Sequence, residues 1–293
     1  MRELARRTVP LRVRAGVMRA VRRLRAAGGP RTVLVTAGRR LRWRAALTHR
    51  VLVAPRWRLV AGERDPAALP VVMCLWNRPH LLARTLADLA AQRDAPPLRL
   101  LLWSNRPEND AAFLSAVRAH GASGAIASVE FHSSRVNLGG IARFVVARHL
   151  APAKESQPFV MIDDDEAVSA DFIRHLLDAY QPHGLAGLWA FEVVAGYWDR
   201  RELAAGAEAD YVGTGGSICD TRLVHQRGFF SRLPARFGFL EDIWASAQAK
   251  RAGWHLTKVV TPFEFLSEDD NQYHALRDLK TVFWDWLYSA PRG

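Results

Sequence analysis

The chain has 293 residues, 49% of them hydrophobic, and 41 Lys and Arg against 29 Asp and Glu give it a formal charge of +12. That size and composition suit one large globular domain or two ordinary ones and exclude a disordered or fibrous chain. No run approaches the roughly 18 apolar residues of a spanning helix. Its two cysteines, Cys74 and Cys219, are far apart and form neither a disulfide framework nor a zinc signature, so a reducing, cytoplasmic setting fits.

The positive excess is confined to the beginning. Residues 1–69 hold 18 Arg against Glu3, Glu63 and Asp65, a net +15, and the remainder nets −3. Val13, Val17, Val21 and Leu24 fall on one helical stripe with Arg between them, and Gly28-Gly29-Pro30 ends that segment. The stretch Gly38 to Val53 repeats the basic, amphipathic character. Residues 1–68 therefore read as a basic, largely helical N-terminal arm. It could lie on anionic lipid, pack on the main body, or bind nucleic acid. The lipid surface is favoured, which would make the protein peripheral on the cytoplasmic membrane face. Nucleic acid comes last, because no aromatic base-stacking platform accompanies the charge.

After a linker around Ala61 to Pro70, strands and helices alternate. LPVVMCLW is a strand, and HLLARTLADLAAQ a helix with Leu81, Leu82, Leu86 and Leu89 in register. LRLLLWSN is a second strand and AAFLSAVRAHG a second helix, ended by Gly121. ASVEFHSS, IARFVVARHLAP, FVMI and ADFIRHLLDAYQPHG continue strand, helix, strand, helix. The expectation is an α/β fold with a doubly wound, mainly parallel sheet and helices on both faces, over residues 69–270. After residue 185 the pattern becomes irregular, and residues 271–293 form a C-terminal amphipathic helix and tail.

Asp163-Asp164-Asp165-Glu166 follows the apolar FVMI, at the kind of strand end where open α/β sheets hold ligands. Adjacent carboxylates repel unless a cation or a shared proton offsets them, so the run suggests a metal; it also reads as a solvated loop leading into a helix. Two further candidates are Glu241-Asp242, acids opening a helix, and His274.

Together, VVMCLWNRPHLLARTLADLAAQ, LLLWSN, VNLGGIARF, FVMIDDDEAVSADF and FLEDIWASAQAKRAGW resemble the ordered motifs of GT-A glycosyltransferases, notably the inverting family 2, over Leu69 to His274. NLGGIARF followed by DDDE is also similar to bacterial galactofuranosyltransferases of that family. The resemblance implies that Asp163 and Asp165 form a DxD motif holding Mg²⁺ or Mn²⁺ on the diphosphate of a nucleotide sugar, with His274 completing the site. Asp164 would face the donor. Asp242 matches the base that takes the acceptor proton, with Glu241 as fallback. Trp76, Asn77 and Arg78 fall in the nucleotide-contacting loop. Ser104 and Asn105 stand where many relatives carry a base-reading Asp, which leaves the nucleotide open. Asn137, Gly139 and Gly140 match the N-x-G element beside the donor, and Arg143 either offsets phosphate charge or is an exposed helix residue. Tyr211 to Ser217 resembles the glycine-rich stretch near sugar and acceptor, and Trp189, Tyr197 and Trp198 offer stacking faces. The implied reaction is transfer of a sugar, with inversion, to a glycan or lipid-linked acceptor, such as a cell-envelope polysaccharide.

Two rivals remain at the level of sequence. FVMIDDDEAV also suits a haloacid-dehalogenase-like phosphatase with Asp163 as nucleophile and Asp165 as acid/base, although two strand-helix units precede it and Glu166-Ala167 follows. The other is a non-catalytic, basic membrane- or nucleic-acid-binding protein.

Overall fold

A computed structural model describes residues 30–266 and 276–288. The elements that build the body are α1 (Pro30–Leu52), β1 (Arg58–Gly62), β2 (Leu69–Leu75), α2 (Leu82–Ala90), β3 (Leu98–Ser104), α3 (Asp110–His120), β4 (Ile126–Ser133), α4 (Ile141–Arg148), β5 (Pro158–Ile162), β6 (Glu166–Val168) and α5 (Phe172–Ala179). Then come β7 (Gly184–Gly187), β8 (Ala190–Val193), β9 (Arg200–Glu202), β10 (Tyr211–Val212), β11 (Ser217–Asp220), α6 (Glu241–Arg251), β12 (His255–Lys258), β13 (Phe263–Phe265) and α7 (Arg277–Tyr288).

The central sheet has eight strands in the order β1-β4-β3-β2-β5-β11-β7-β12. Strands β4, β3, β2 and β5 run parallel, β12 is parallel to β7, and β1 and β11 run against their neighbours. Side chains of period two divide the core. Val72, Leu101, Phe159 and Met161 face α1, α4, α6 and α7, whereas Val71, Met73, Leu100, Leu102 and Val160 face α2, α3 and α5. The expected α/β architecture, a mainly parallel sheet with helices on both faces, is the one observed. Its strands are buried on both sides, which is why they read as continuous apolar runs. Leu82, Leu86 and Leu89 of α2 are all fully buried; truncating one to Ala costs about 2–5 kcal/mol.

The sheet begins earlier than the pattern suggests. Strand β1 runs into the expected linker, overlapping it at Ala61 and Gly62, and pairs antiparallel with β4 at the sheet edge. Its residues are exposed or half-buried, and its apolar run, Leu59 to Ala61, is too short to mark a strand by itself. Helix α1 packs on the body through Trp43 and Leu47, and Arg44 donates to the carbonyls of Phe230 and Leu233. The irregular stretch between residue 185 and α6 contains strands of two to four residues in a small sheet, β10-β8-β9, and in the central sheet. Strands β13 and β6 form a third, two-stranded sheet. Among the described residues no helix is long and apolar enough to cross a membrane.

Candidate active site

Because β2, β3, β4 and β5 run parallel, their carboxyl ends deliver Trp76 to Arg78, Asn105, Asn137 to Gly140 and Asp163 to Glu166 to one end of the sheet. Antiparallel β11 starts there, with Ser217 opposite Met161, and so brings the Gly213–Gly216 loop to the same place. Helix α6 is tied to β10 by Ser246, whose hydroxyl donates to the Val212 carbonyl and accepts from the Val212 N–H, each at 3.0 Å. A cavity of about 440 Å³ forms where these segments meet. It is lined by Trp76, Arg78, Asn105, Asn137, Gly139, Arg143 and the whole Asp163–Glu166 run, and by Glu241 and Asp242 at the start of α6. Asn77 does not line it, and His274 lies outside the described residues.

Two buried arginines organise the acids. Arg78 reaches Asp164 Oδ1 at 2.7 Å and Asp165 Oδ2 at 3.2 Å. Arg143, in the first turn of α4, pairs with Asp163 and lies 3.4 Å from Glu241 Oε1, and it donates to Thr214 Oγ1 at 3.0 Å. Burial alone would lower the Arg143 guanidinium, but Asp163, Glu241 and Glu166 hold it above its ordinary value. Arg143 is thus neither exposed nor aimed at solvent; it offsets the chain's own carboxylates.

Those carboxylates still outnumber their cations. Burial, and next the charge of Asp163, pushes Asp165 up to about 7 and Glu166 up to about 8. Glu166 also accepts from Trp189 Nε1 at 3.0 Å. Asp163 is the open member of the run, its side chain 39% exposed. At Gly215 a Cβ would stand 2.5 Å from Glu166 Oε1 and 2.6 Å from Asp163 Oδ2, so the backbone there cradles the acids and a side chain would displace them.

A divalent cation suits this donor set. The oxygens are hard, their charge is under-compensated, and Asp163 is accessible. Among the described residues no three His, Cys, Asp or Glu are arranged to hold an ion by themselves. The protein would therefore supply one or two carboxylates and leave the remaining positions to water and phosphate, which is how Mg²⁺-type sites are commonly completed.

At the start of α6 Glu241 is buried and held by Arg143 and Thr214. Burial, and then the charge of Asp242, raises its carboxyl to about 7. A Cβ at Gly140 would fall 1.6 Å from Glu241 Oε1, so that glycine accommodates the glutamate. Asp242 is more open. Its Oδ1 accepts from the Ile243 N–H at 2.8 Å and its Oδ2 from the Tyr211 hydroxyl at 2.5 Å. Asn105 is engaged by the protein: its Oδ1 accepts from Trp103 Nε1 and the Leu138 N–H, and its Nδ2 donates to the Gly139 carbonyl. Asn137 Oδ1 accepts from the Gly139 N–H at 2.8 Å, at a glycine with φ +69° that an L side chain would strain.

The aromatic wall comprises Trp189, stacked on Phe265 with 5.3 Å between ring centroids, together with Phe191, Tyr197 and Tyr211. Trp198 does not line the cavity; its indole donates to Thr281 Oγ1. Sequence reasoning missed Arg200 and Lys280, both of which line the cavity beside Tyr197. For Lys280 a signal existed. It sits at the position of the α7 stripe that Phe283, Trp284 and Leu287 continue, where a charge has to be buried.

Neither protein-family models nor curated protein sequences give a match to this chain. Among solved structures it is similar to the mannosyltransferase PcManGT from Pyrobaculum calidifontis in complex with GDP-Man and Mn²⁺, at 14% identity and TM-score 0.48, covering 89% of this chain and 74% of that one. It is also similar to residues 1–349 of S. aureus TarS, at 13% identity and TM-score 0.47, covering 77% and 74%. A third is GalNAc-T7 with UDP, GalNAc and Mn²⁺, at 13% identity and TM-score 0.47, covering 67% and 43%. The chain spans 42% of the longer TarS structure.

Proposed function

We propose that the chain is a metal-dependent glycosyltransferase, moving a sugar from a nucleoside-diphosphate sugar to a hydroxyl of a glycan or lipid-linked acceptor with inversion. One observation carries this reading: two separate carboxylate centres, Asp163 with Asp165 and Asp242, line a single cavity of about 440 Å³ at the strand ends. Such a transfer calls for a means of offsetting the charge of the leaving diphosphate, which a cation would supply, and for a proton acceptor.

Asp163 and Asp165 are the residues to hold Mg²⁺ or Mn²⁺. When bound, the cation offsets the negative charge that develops on the leaving diphosphate. Asp242 accepts the proton of the acceptor hydroxyl while that oxygen forms its bond to the anomeric carbon. The bond from the anomeric carbon to the phosphate oxygen breaks with its electron pair going to the diphosphate, through an oxocarbenium-like transition state. Asp242 suits the task better than Glu241, whose carboxylate is already engaged by Arg143 and Thr214. Trp76 and the Asn137–Gly140 turn line the cavity on the wall assigned to the donor, and the aromatic wall with Tyr197 and Tyr211 lies on the side of the base.

The test is turnover of UDP-, GDP- and TDP-sugars with and without Mn²⁺. Metal-dependent release of nucleoside diphosphate from at least one donor is expected. Failure with every donor, or instead hydrolysis of p-nitrophenyl phosphate, removes the reading.

A further inference from the structure

Helix α1 carries two apolar faces. One, with Trp43 and Leu47, is buried in the core. About half a turn away lies a second stripe, Leu34, Leu41, Ala45 and Leu52, spaced for one side of a helix. Leu34, Leu41 and Leu52 are 72, 71 and 76% exposed. Arg39, Arg40, Arg42 and His49 are exposed on the same helix, which contains no acid. Between Glu3 and Glu63 the sequence holds 16 Arg and no Asp or Glu.

We infer that this outer face of α1 is a docking surface for an anionic lipid bilayer. The occupant has to satisfy two demands together: leucines that gain from leaving water, and a dense set of arginines. The boundary of an anionic membrane supplies both, acyl chain for the stripe and headgroup charge for the flanks. Nucleic acid supplies phosphate charge but nothing to cover the leucines. A second copy of the chain would set arginine against arginine. So would residues 1–29, whose sequence has nine Arg and the single acid Glu3.

The surface also has a fixed relation to the cavity. The Trp43 ring fills the space at Gly238, where a Cβ would come within 2.3 Å of it, and Gly238 adjoins Phe239 on the cavity wall. Trp43 Nε1 donates to the Leu138 carbonyl at 3.4 Å, next to Gly139 on the donor side. A membrane held by α1 therefore lies against the helix that braces two walls of the site.

The experiment is co-sedimentation of the full chain with phosphatidylcholine vesicles, with and without phosphatidylglycerol; no turnover is involved. Retention is expected only on the anionic vesicles, and salt should reverse it. Leu41→Asp/Leu52→Asp should weaken retention by about tenfold or more, because both residues leave water only on docking. Arg39→Gln/Arg40→Gln/Arg42→Gln should weaken it roughly a hundredfold, about fivefold per Arg. Unchanged thermal melting of both variants would show that the fold is intact. Equal retention on neutral vesicles overturns the inference, as does full retention of the Leu→Asp variant, which would assign binding to residues 1–29. So does either of two outcomes in the absence of vesicle binding: DNA-duplex binding that the Leu→Asp changes leave intact, or a dimer that they abolish.

Discussion

Tyr211 donates its hydroxyl proton to Oδ2 of Asp242, and Tyr197 donates in turn to the Tyr211 oxygen at 3.4 Å. Burial, followed by the neighbouring charge of Asp242, raises Tyr211 well above the ordinary tyrosine value, so it remains a neutral donor throughout the working pH range. The Tyr211 hydroxyl holds Oδ2 and the Ile243 N–H holds Oδ1, so both carboxylate oxygens are positioned while Asp242 still lines the cavity. Asp242→Asn should lower kcat by at least about 10³-fold, within the range of general-base contributions, while donor binding measured by calorimetry is retained. Tyr211→Phe should lower kcat by only about tenfold, the worth of one hydrogen bond, with the donor KM unchanged. Near-normal turnover of Asp242→Asn would remove it from the mechanism.

Arg143 stands between the two carboxylate centres, paired with Asp163 on one side and Glu241 on the other. Breaking a buried pair leaves uncompensated charge, so Arg143→Met should cost about 3–5 kcal/mol in urea unfolding. Adding Glu241→Gln should recover part of that loss, with a coupling of about 1 kcal/mol or more. Strict additivity of the two changes would show that the pair is not what stabilises this wall.

Arg78 and Arg143 mark the limit of what could be read from the sequence. The sheet was legible, because strands buried on both faces are apolar throughout and Leu82, Leu86 and Leu89 repeat with helical spacing. The acids were legible as a cluster, since like charges side by side ask for a reason. Their pairing was not: Arg78 is 86 residues from Asp164, and Arg143 is 98 from Glu241. Nothing local distinguishes a guanidinium that meets a phosphate from one that meets the chain's own carboxylates. Asn105 was hidden for the same reason, its amide being engaged by Leu138 and Gly139 more than 30 residues away.

Gly215 offers a test of the acidic cradle that leaves every charge in place. A methyl group there meets Glu166 Oε1 and Asp163 Oδ2, and both must shift. Its φ is not in the left-handed region, so the backbone itself tolerates alanine. Gly215→Ala should therefore melt within a few degrees of wild type, while metal-dependent turnover falls by on the order of 10²-fold, as displacement of a positioned group by about 1 Å does. Raising Mn²⁺ should restore part of the activity if the loss lies in cation binding. A variant that binds metal and turns over normally would show that the acids have freedom the structure does not suggest.

His132 predicts a pH dependence of stability remote from the site. It is buried on β4 between Trp103, at 4.4 Å between ring centroids, and Trp57, at 5.7 Å. Its Nδ1 lies 3.0 Å from the Arg56 carbonyl, which can only accept, so Nδ1 carries the proton; the buried Nε2 has no partner among the described residues. Burial, reinforced by the positive charge of Arg50, holds the imidazole below its usual value although the Arg56 carbonyl pulls the other way. Below about pH 6.5 the unfolded chain binds a proton that the folded chain refuses. The contribution of His132 is thus fully present above that pH and is lost as the pH falls toward the depressed folded value. His132→Phe keeps the aromatic packing and removes the titration. Urea unfolding at several pH values between 5 and 8 should show wild type losing stability relative to this variant only in the acid half of the range. Parallel profiles for the two proteins would mean that the imidazole can take up its proton in the folded state.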